Sequence, residues 1–184
     1  MIDIAVEQIA NTLNEHLTKI FYLDDDIVVV SNIGEQHGAV ISGNQNKLVL
    51  SVVNIAEDTQ PTRSSLARQA GVRQSSTQSD YTPPLCLNLS LLISANFNTE
   101  SYQESLKFIS YTIGFFQKNP VYTPSNAPAL QGEIDQLDLI MENLDIADWE
   151  SLWSMMGCRC LPSVMYRVRM LAYDETHTEE YLSL

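Results

Sequence analysis

The stretch that decides the fold is LCLNLSLLISANF, residues 85–97. Apolar side chains fill every odd position of this stretch, whereas most even positions carry Asn or Ser. A period of two places successive side chains on opposite faces, so the pattern predicts a β-strand with one core face and one polar face. The stretch lies within an uncharged run over residues 81–99, but Pro83, Pro84 and the alternation argue against a membrane helix.

The segments on either side of this strand have different periods. Apolar residues recur three or four positions apart over residues 2–20 and again over residues 102–116, which predicts two amphipathic helices. Pro120 ends the second helix. KLVLSVVNI at residues 47–55 is apolar on both parities, so it predicts a central strand covered on both faces.

The later part of the chain adds a strand, a short helix and a last strand. Residues 130–150 are acidic and include the strand-like LDLIMENL. Trp149 and Trp153 then lie one turn apart in a short helix, where core packing is the favoured role and an interface anchor the alternative. Gly157 suits the left-handed position that ends a helix, and residues 163–173 alternate as a strand.

The order of these segments predicts an α+β fold, with helices packed on a mostly antiparallel, or mixed, sheet. Residues 1–184 form a single domain with a flexible arm at 56–83 and an acidic tail at 174–184, which includes Tyr181. The arm either orders against a partner or stays a solvated loop. It holds three of the ten basic residues, Arg63, Arg68 and Arg73.

Charge and cysteine content restrict the function classes. The formal net charge is −13, so the chain lacks the basic surface that nucleic acid and anionic membranes require. Three cysteines do not make a disulfide framework in a chain of 184 residues, and the N-terminus has no basic signal-peptide region. We therefore expect a reduced, cytoplasmic protein that binds neither nucleic acid nor membrane.

No catalytic motif is present, so we predict no enzyme, no cofactor and no metal site. The alternative is a small ligand- or metal-binding protein that uses Cys158, Cys160 and His177, with Cys86 as a further candidate, although this spacing does not match common zinc sites. Arg167 and Arg169 belong either to a solvated strand face or to a salt-bridged subunit contact; the sequence favours the solvated face.

The ordered segments resemble the cap-protein N-terminal domain family of extracellular contractile injection systems of the Photorhabdus virulence cassette and antifeeding prophage type. The resemblance covers nearly the whole chain, except for the arm and the tail. It rests on MIDIAVEQIANTLN (1–14), KLVLSVVNIAED (47–58), LCLNLSLLISANF (85–97), YQESLKFISYTIGFFQKNPVYT (102–123), LWSMMG (152–157) and LPSVMYRVRMLAYDE (161–175).

The resemblance implies a fold similar to phage tail terminators and a structural role. Such proteins form a six-membered ring that ends the inner tube and holds the last sheath ring, distal to the baseplate. The implied partners are further copies of the chain and the sheath and inner tube proteins. The protein would assemble in the bacterial cytoplasm and then join the particle, or act as an assembly scaffold that does not remain in it. Expected contacts, placed by exposure and length alone, are Arg63, Arg68, Arg73, Arg167, Arg169 and Tyr181.

Overall fold

The computed structural model describes residues 1–33, 43–58 and 85–172. In this part of the chain, three α-helices and six strands follow one another, with two short 3₁₀ turns between them. The elements are α1 (Ile2–Phe21), β1 (Val28–Val30), β2 (Lys47–Glu57), β3 (Cys86–Asn96), α2 (Tyr102–Lys118), β4 (Val121–Tyr122), β5 (Ile134–Glu142), α3 (Ile146–Met156) and β6 (Ser163–Ala172).

The six strands form one sheet in the order β1-β2-β3-β6-β5-β4. Only β1 and β2 run parallel, and every other neighbouring pair is antiparallel, so the predicted α+β class with a mixed sheet is confirmed. β3 lies at the centre and pairs with β2 and β6 along almost its whole length. Its odd positions Leu89, Leu91 and Ile93 are fully buried, as the alternation predicts, whereas Leu87 is only partly buried and Leu85, just before the strand, is 48% exposed.

Helices α1 and α2 cover one face of the sheet and enclose the larger core. They run antiparallel, because His16 contacts Phe115 near the end of α2 while Phe21 contacts Phe108 nearer its start. The amphipathic period of each helix turns its apolar stripe onto the sheet, where burial of large side chains supplies most of the stabilisation. Neither of them, nor any other helix in the described ranges, has the length and apolarity needed to cross a bilayer.

Helix α3 covers half of the opposite face and encloses a second core. Trp153 is buried and Trp149 packs against it in this core, so the predicted packing role is confirmed for both. The second face of β3 carries mostly Asn and Ser, as predicted, but its later half does not face solvent. Leu92 and Ser94 are both fully buried there, because α3 and the residues that follow it pack over the sheet.

The prediction that β2 is covered on both faces holds only for its first half. Leu48, Val49 and Leu50 are fully buried, whereas Asn54–Glu57 are exposed. The reason is that the two cores on either side of the sheet reach along β2 no further than Val52 and Val53. β2 also continues through Glu57, so the first residues of the predicted arm at 56–83 belong to this strand. Residues 59–83 of the arm lie outside the described residues.

Candidate functional site

The half of the second sheet face that α3 leaves uncovered carries charged and polar side chains; we call it the open face. β6 lies between β3 and β5, and its alternation directs Val164, Tyr166, Val168 and Met170 into the core. Arg167 and Arg169 therefore project from the other side. The registered neighbours that share this side are Asn88 and Ser90 on β3 and Asp138 and Ile140 on β5.

Both arginines of the open face pair with carboxylates of the same chain. Arg169 Nε contacts Asp58 Oδ2, and the Asp58 side chain is only 5% exposed. Arg167 Nη1 lies 3.5 Å from Glu142 Oε1, in a pair whose side chains are 43% and 28% exposed. Shielding from water makes the first pair the stronger one, because exposed ion pairs are screened. The two arginines thus take part in intrachain salt bridges on a half-solvated strand face.

Asp58 ends one of the described ranges, and it lies beside the ends of two others, at Leu85 and Ala172. Its backbone N–H donates to the Cys86 carbonyl at 2.8 Å, and the Ala172 N–H donates to the Leu85 carbonyl at 3.0 Å. The described residues that flank segments 59–84 and 173–184 therefore lie side by side, next to Arg169. Four predicted contact residues lie outside the described residues and stay predictions: Arg63, Arg68, Arg73 and Tyr181.

Cys86 lies far from the other two cysteines. Cys86 begins β3, whereas Cys158 and Cys160 precede Ser163, which pairs with Ser94. Cys86 and Ser94 are eight positions apart on β3, or about 26 Å at the rise of a strand. Burial, and the neighbouring Cys160 thiol, raise the pKa of the Cys158 thiol, which disfavours the thiolate that a metal needs.

No group of three or more His, Cys, Asp or Glu side chains suited to a metal ion occurs within the described ranges. His177, the remaining residue of the metal-binding alternative, lies outside them.

The outer surface of the helix layer carries a row of lysines with one tyrosine, which the sequence alone did not indicate; we call this row the lysine seam. It consists of Lys107, Tyr111 and Lys118 on α2, together with Lys19 on α1. Spacings of four and seven residues place the three α2 side chains on one helix face, and all three are exposed. The Tyr111 ring lies 4.9 Å from Phe21, which fixes this face along the boundary with α1. The spacing was present in the sequence, but only the packing of α1 shows that Lys19 joins it.

Residues 5–181 match the family model of the Pvc16 N-terminal domain, a family of the Photorhabdus virulence cassette and thus of contractile injection systems. The match spans every strand and helix described above, apart from the first residues of α1. Among curated proteins, none matches the sequence significantly. Because the family model covers almost the entire chain, from the first helix to beyond the last strand, this protein belongs to the Pvc16 N-terminal domain family.

Proposed function

We propose that the protein is the structural cap of a contractile injection particle. It forms a ring, of six copies by the resemblance, that terminates the inner tube and holds the last sheath layer at the end distal to the baseplate. It acts through interfaces and catalyses no reaction. The observation that carries this proposal is the family match over residues 5–181.

The physical task of a cap is to end a polymer that would otherwise keep growing. The last layer of a helical assembly exposes unsatisfied contacts, and free strand edges can recruit further subunits. A cap must pair with those contacts without presenting a new copy of them. It also stabilises the extended sheath if it binds only that state.

The edges of the sheet are compatible with this task. β1 has three residues and β4 has two, so both outermost strands are short templates for further pairing. On the outer side of β2, residues 52–57 have no strand partner in the described part of the chain, and Ile55 is 51% exposed. A strand from the tube or sheath could add here through backbone hydrogen bonds.

The proposed contacts include the arm with its three arginines and the tail with Tyr181. Deletion of residues 60–80 should leave the melting temperature of the domain almost unchanged, because no core residue named above is removed. The same deletion should lower the yield of particles or change their length. Particles of ordinary yield and length would exclude the arm as a contact.

The location of the protein tests the cap role directly. We would attach an epitope tag, purify particles and label them with gold-conjugated antibody for electron microscopy. Gold at the tip opposite the baseplate is the expected result. The control is the same tag on the tube protein, which shows whether antibody reaches assembled particles. Functional particles without any gold would contradict a resident cap and favour a scaffold that leaves after assembly.

A further inference from the structure

The lysine seam is an unusual surface for this chain. The protein has 23 acidic and 10 basic residues, yet three of its four lysines lie along the α1–α2 boundary. Lys107 and Lys118 have no ion-pair partner within 4 Å among the described residues, and Lys19 has only an exposed pair with Glu15 at 3.5 Å. Tyr111, 42% exposed, lies between them.

Two of the seam lysines lie close enough to His16 to affect its charge. Burial lowers the pKa of His16, and the positive charges of Lys118 and Lys19 lower it further. The His16 ring lies 4.5 Å from the buried ring of Phe115 on α2. Glu104 is the one acidic residue of α2 on the same helix face, one turn before Lys107. The seam therefore combines exposed ammonium groups with an aromatic ring.

The opposite layer of the molecule has the complementary chemistry. Helix α3 contains no Lys or Arg, and its exposed side includes Asp148 and Glu150. Two large apolar side chains lie beside these carboxylates, Ile146 at 87% exposure and Met155 at 72%. The inner side of α3 packs in the second core, whereas α1 and α2 pack in the first. The two surfaces thus face away from each other across the sheet.

We infer that these two surfaces bind each other between copies: α3 of one molecule packs on the lysine seam of the next. Carboxylates then meet ammonium groups, and exposed apolar side chains meet Tyr111 and the alkyl stems of the lysines. A contact between two different surfaces is heterologous, and such contacts close into rings when the rotation per subunit allows it. This inference rests on the proposed ring and names the interface that builds it.

Charge complementarity selects this arrangement among the possible contacts between copies. Two molecules with a net charge of −13 repel one another through most of their surfaces. A seam of lysines against an acidic helix reverses the sign of the interaction locally and sets the orientation of the partners. Because the pairs are exposed, raising the salt concentration should weaken the association.

The test uses charge reversal on each surface of the full chain. The seam variant is Lys107→Glu with Lys118→Glu, and the helix variant is Asp148→Lys with Glu150→Lys. In sedimentation velocity over a concentration series, the unaltered protein should form oligomers, and each variant alone should associate about tenfold more weakly or worse, since two attractions become repulsions. Thermal melts of each variant establish that the domain is folded.

A mixture of the two variants gives the decisive result. The acidic seam of the first variant then meets the basic α3 of the second, and the basic seam of the second meets the acidic α3 of the first. Both contacts of an alternating ring are attractive, so mixing should restore oligomers of the original size. Lys47→Glu, at the start of β2 and outside the residues that define either surface, is the control for net charge and should associate as the unaltered protein does.

Three results would overturn the inference: an unaltered protein that stays monomeric over the whole concentration series, variants that associate normally, or a mixture that remains dissociated. None of these would refute the cap proposal, because gold labelling of particles tests the location whichever surface forms the ring.

Discussion

Replacement of the Arg169 guanidinium by an uncharged group should lower the free energy of unfolding far more than the same change at Arg167. In the variant Arg169→Met, the Asp58 carboxylate loses the ion pair with Arg169 at a position where its side chain is 5% exposed. Breaking a buried pair from one side typically costs about 3–5 kcal/mol. Arg169 itself is 27% exposed, which lets water reach the site, so we expect a loss near the lower limit, about 3 kcal/mol.

Arg167→Met is the matched control, on the same strand and the same face. Its pair with Glu142 is at 3.5 Å and both side chains are partly exposed, so the expected loss is below about 1 kcal/mol. Both variants keep the alkyl stem, which limits the loss of packing. The free energy of unfolding is measured by urea titration, followed through circular dichroism and the fluorescence of the buried Trp153.

A double-mutant cycle separates the pair from the other contacts of each residue. Asp58→Asn is combined with Arg169→Met, and the double variant should be more stable than the sum of the two single losses predicts. If Arg169→Met costs no more than Arg167→Met, or if the cycle shows no coupling, the reasoning from burial is refuted. Either result would mean that water screens the Asp58–Arg169 pair as fully as the exposed pair.

Three further changes test other parts of the fold. Leu91→Ala, at a fully buried position of the central strand, should lower the free energy of unfolding by about 2–5 kcal/mol in urea titrations, and a loss below about 1 kcal/mol would contradict a tightly packed core. The pKa of His16 is lowered by burial and by Lys118 and Lys19, so the unfolded chain takes up a proton at higher pH than the folded one. Stability should therefore decline as the pH falls below about 6.5, and His16→Gln should reduce that decline in urea midpoints compared at pH 7 and pH 5. Tyr22, 91% exposed, ends α1 with a φ of 53°, so Tyr22→Gly should raise stability by about 0.5–1 kcal/mol in thermal melts; a lower melting temperature would show that the ring makes a stabilising contact.

Local periodicity was enough to predict the elements and their class. The alternation over residues 85–97 predicted the central strand, and the three-to-four spacing over residues 2–20 predicted α1. These patterns depend only on which side of an element meets the core, a property that neighbouring residues encode. The acidic strand and the tryptophan helix were predicted in the same way and correspond to β5 and α3.

The coverage of the sheet was not predictable from any single strand. Ser94 looks solvent-facing by composition, yet it is fully buried, with its hydroxyl 2.9 Å from that of Ser163. Ile55 continues an apolar run but is half exposed, because neither core extends along β2 beyond Val53. Burial at these positions depends on where a distant element stops, and strand composition does not record that.

The candidate surfaces likewise combine features that the sequence predicts with contacts that only the tertiary structure shows. The sequence alone determined the class of fold, the acidic balance and the alternation that sends Arg167 and Arg169 to one side of a strand, because each is a property of composition or of near neighbours. Only the tertiary structure decided that Asp58 pairs with Arg169, although 111 positions separate them, and that Lys19 of α1 and Lys118 of α2 both lie near His16. Such contacts depend on strand order and helix packing, which arise from the burial of the whole core rather than from any local pattern.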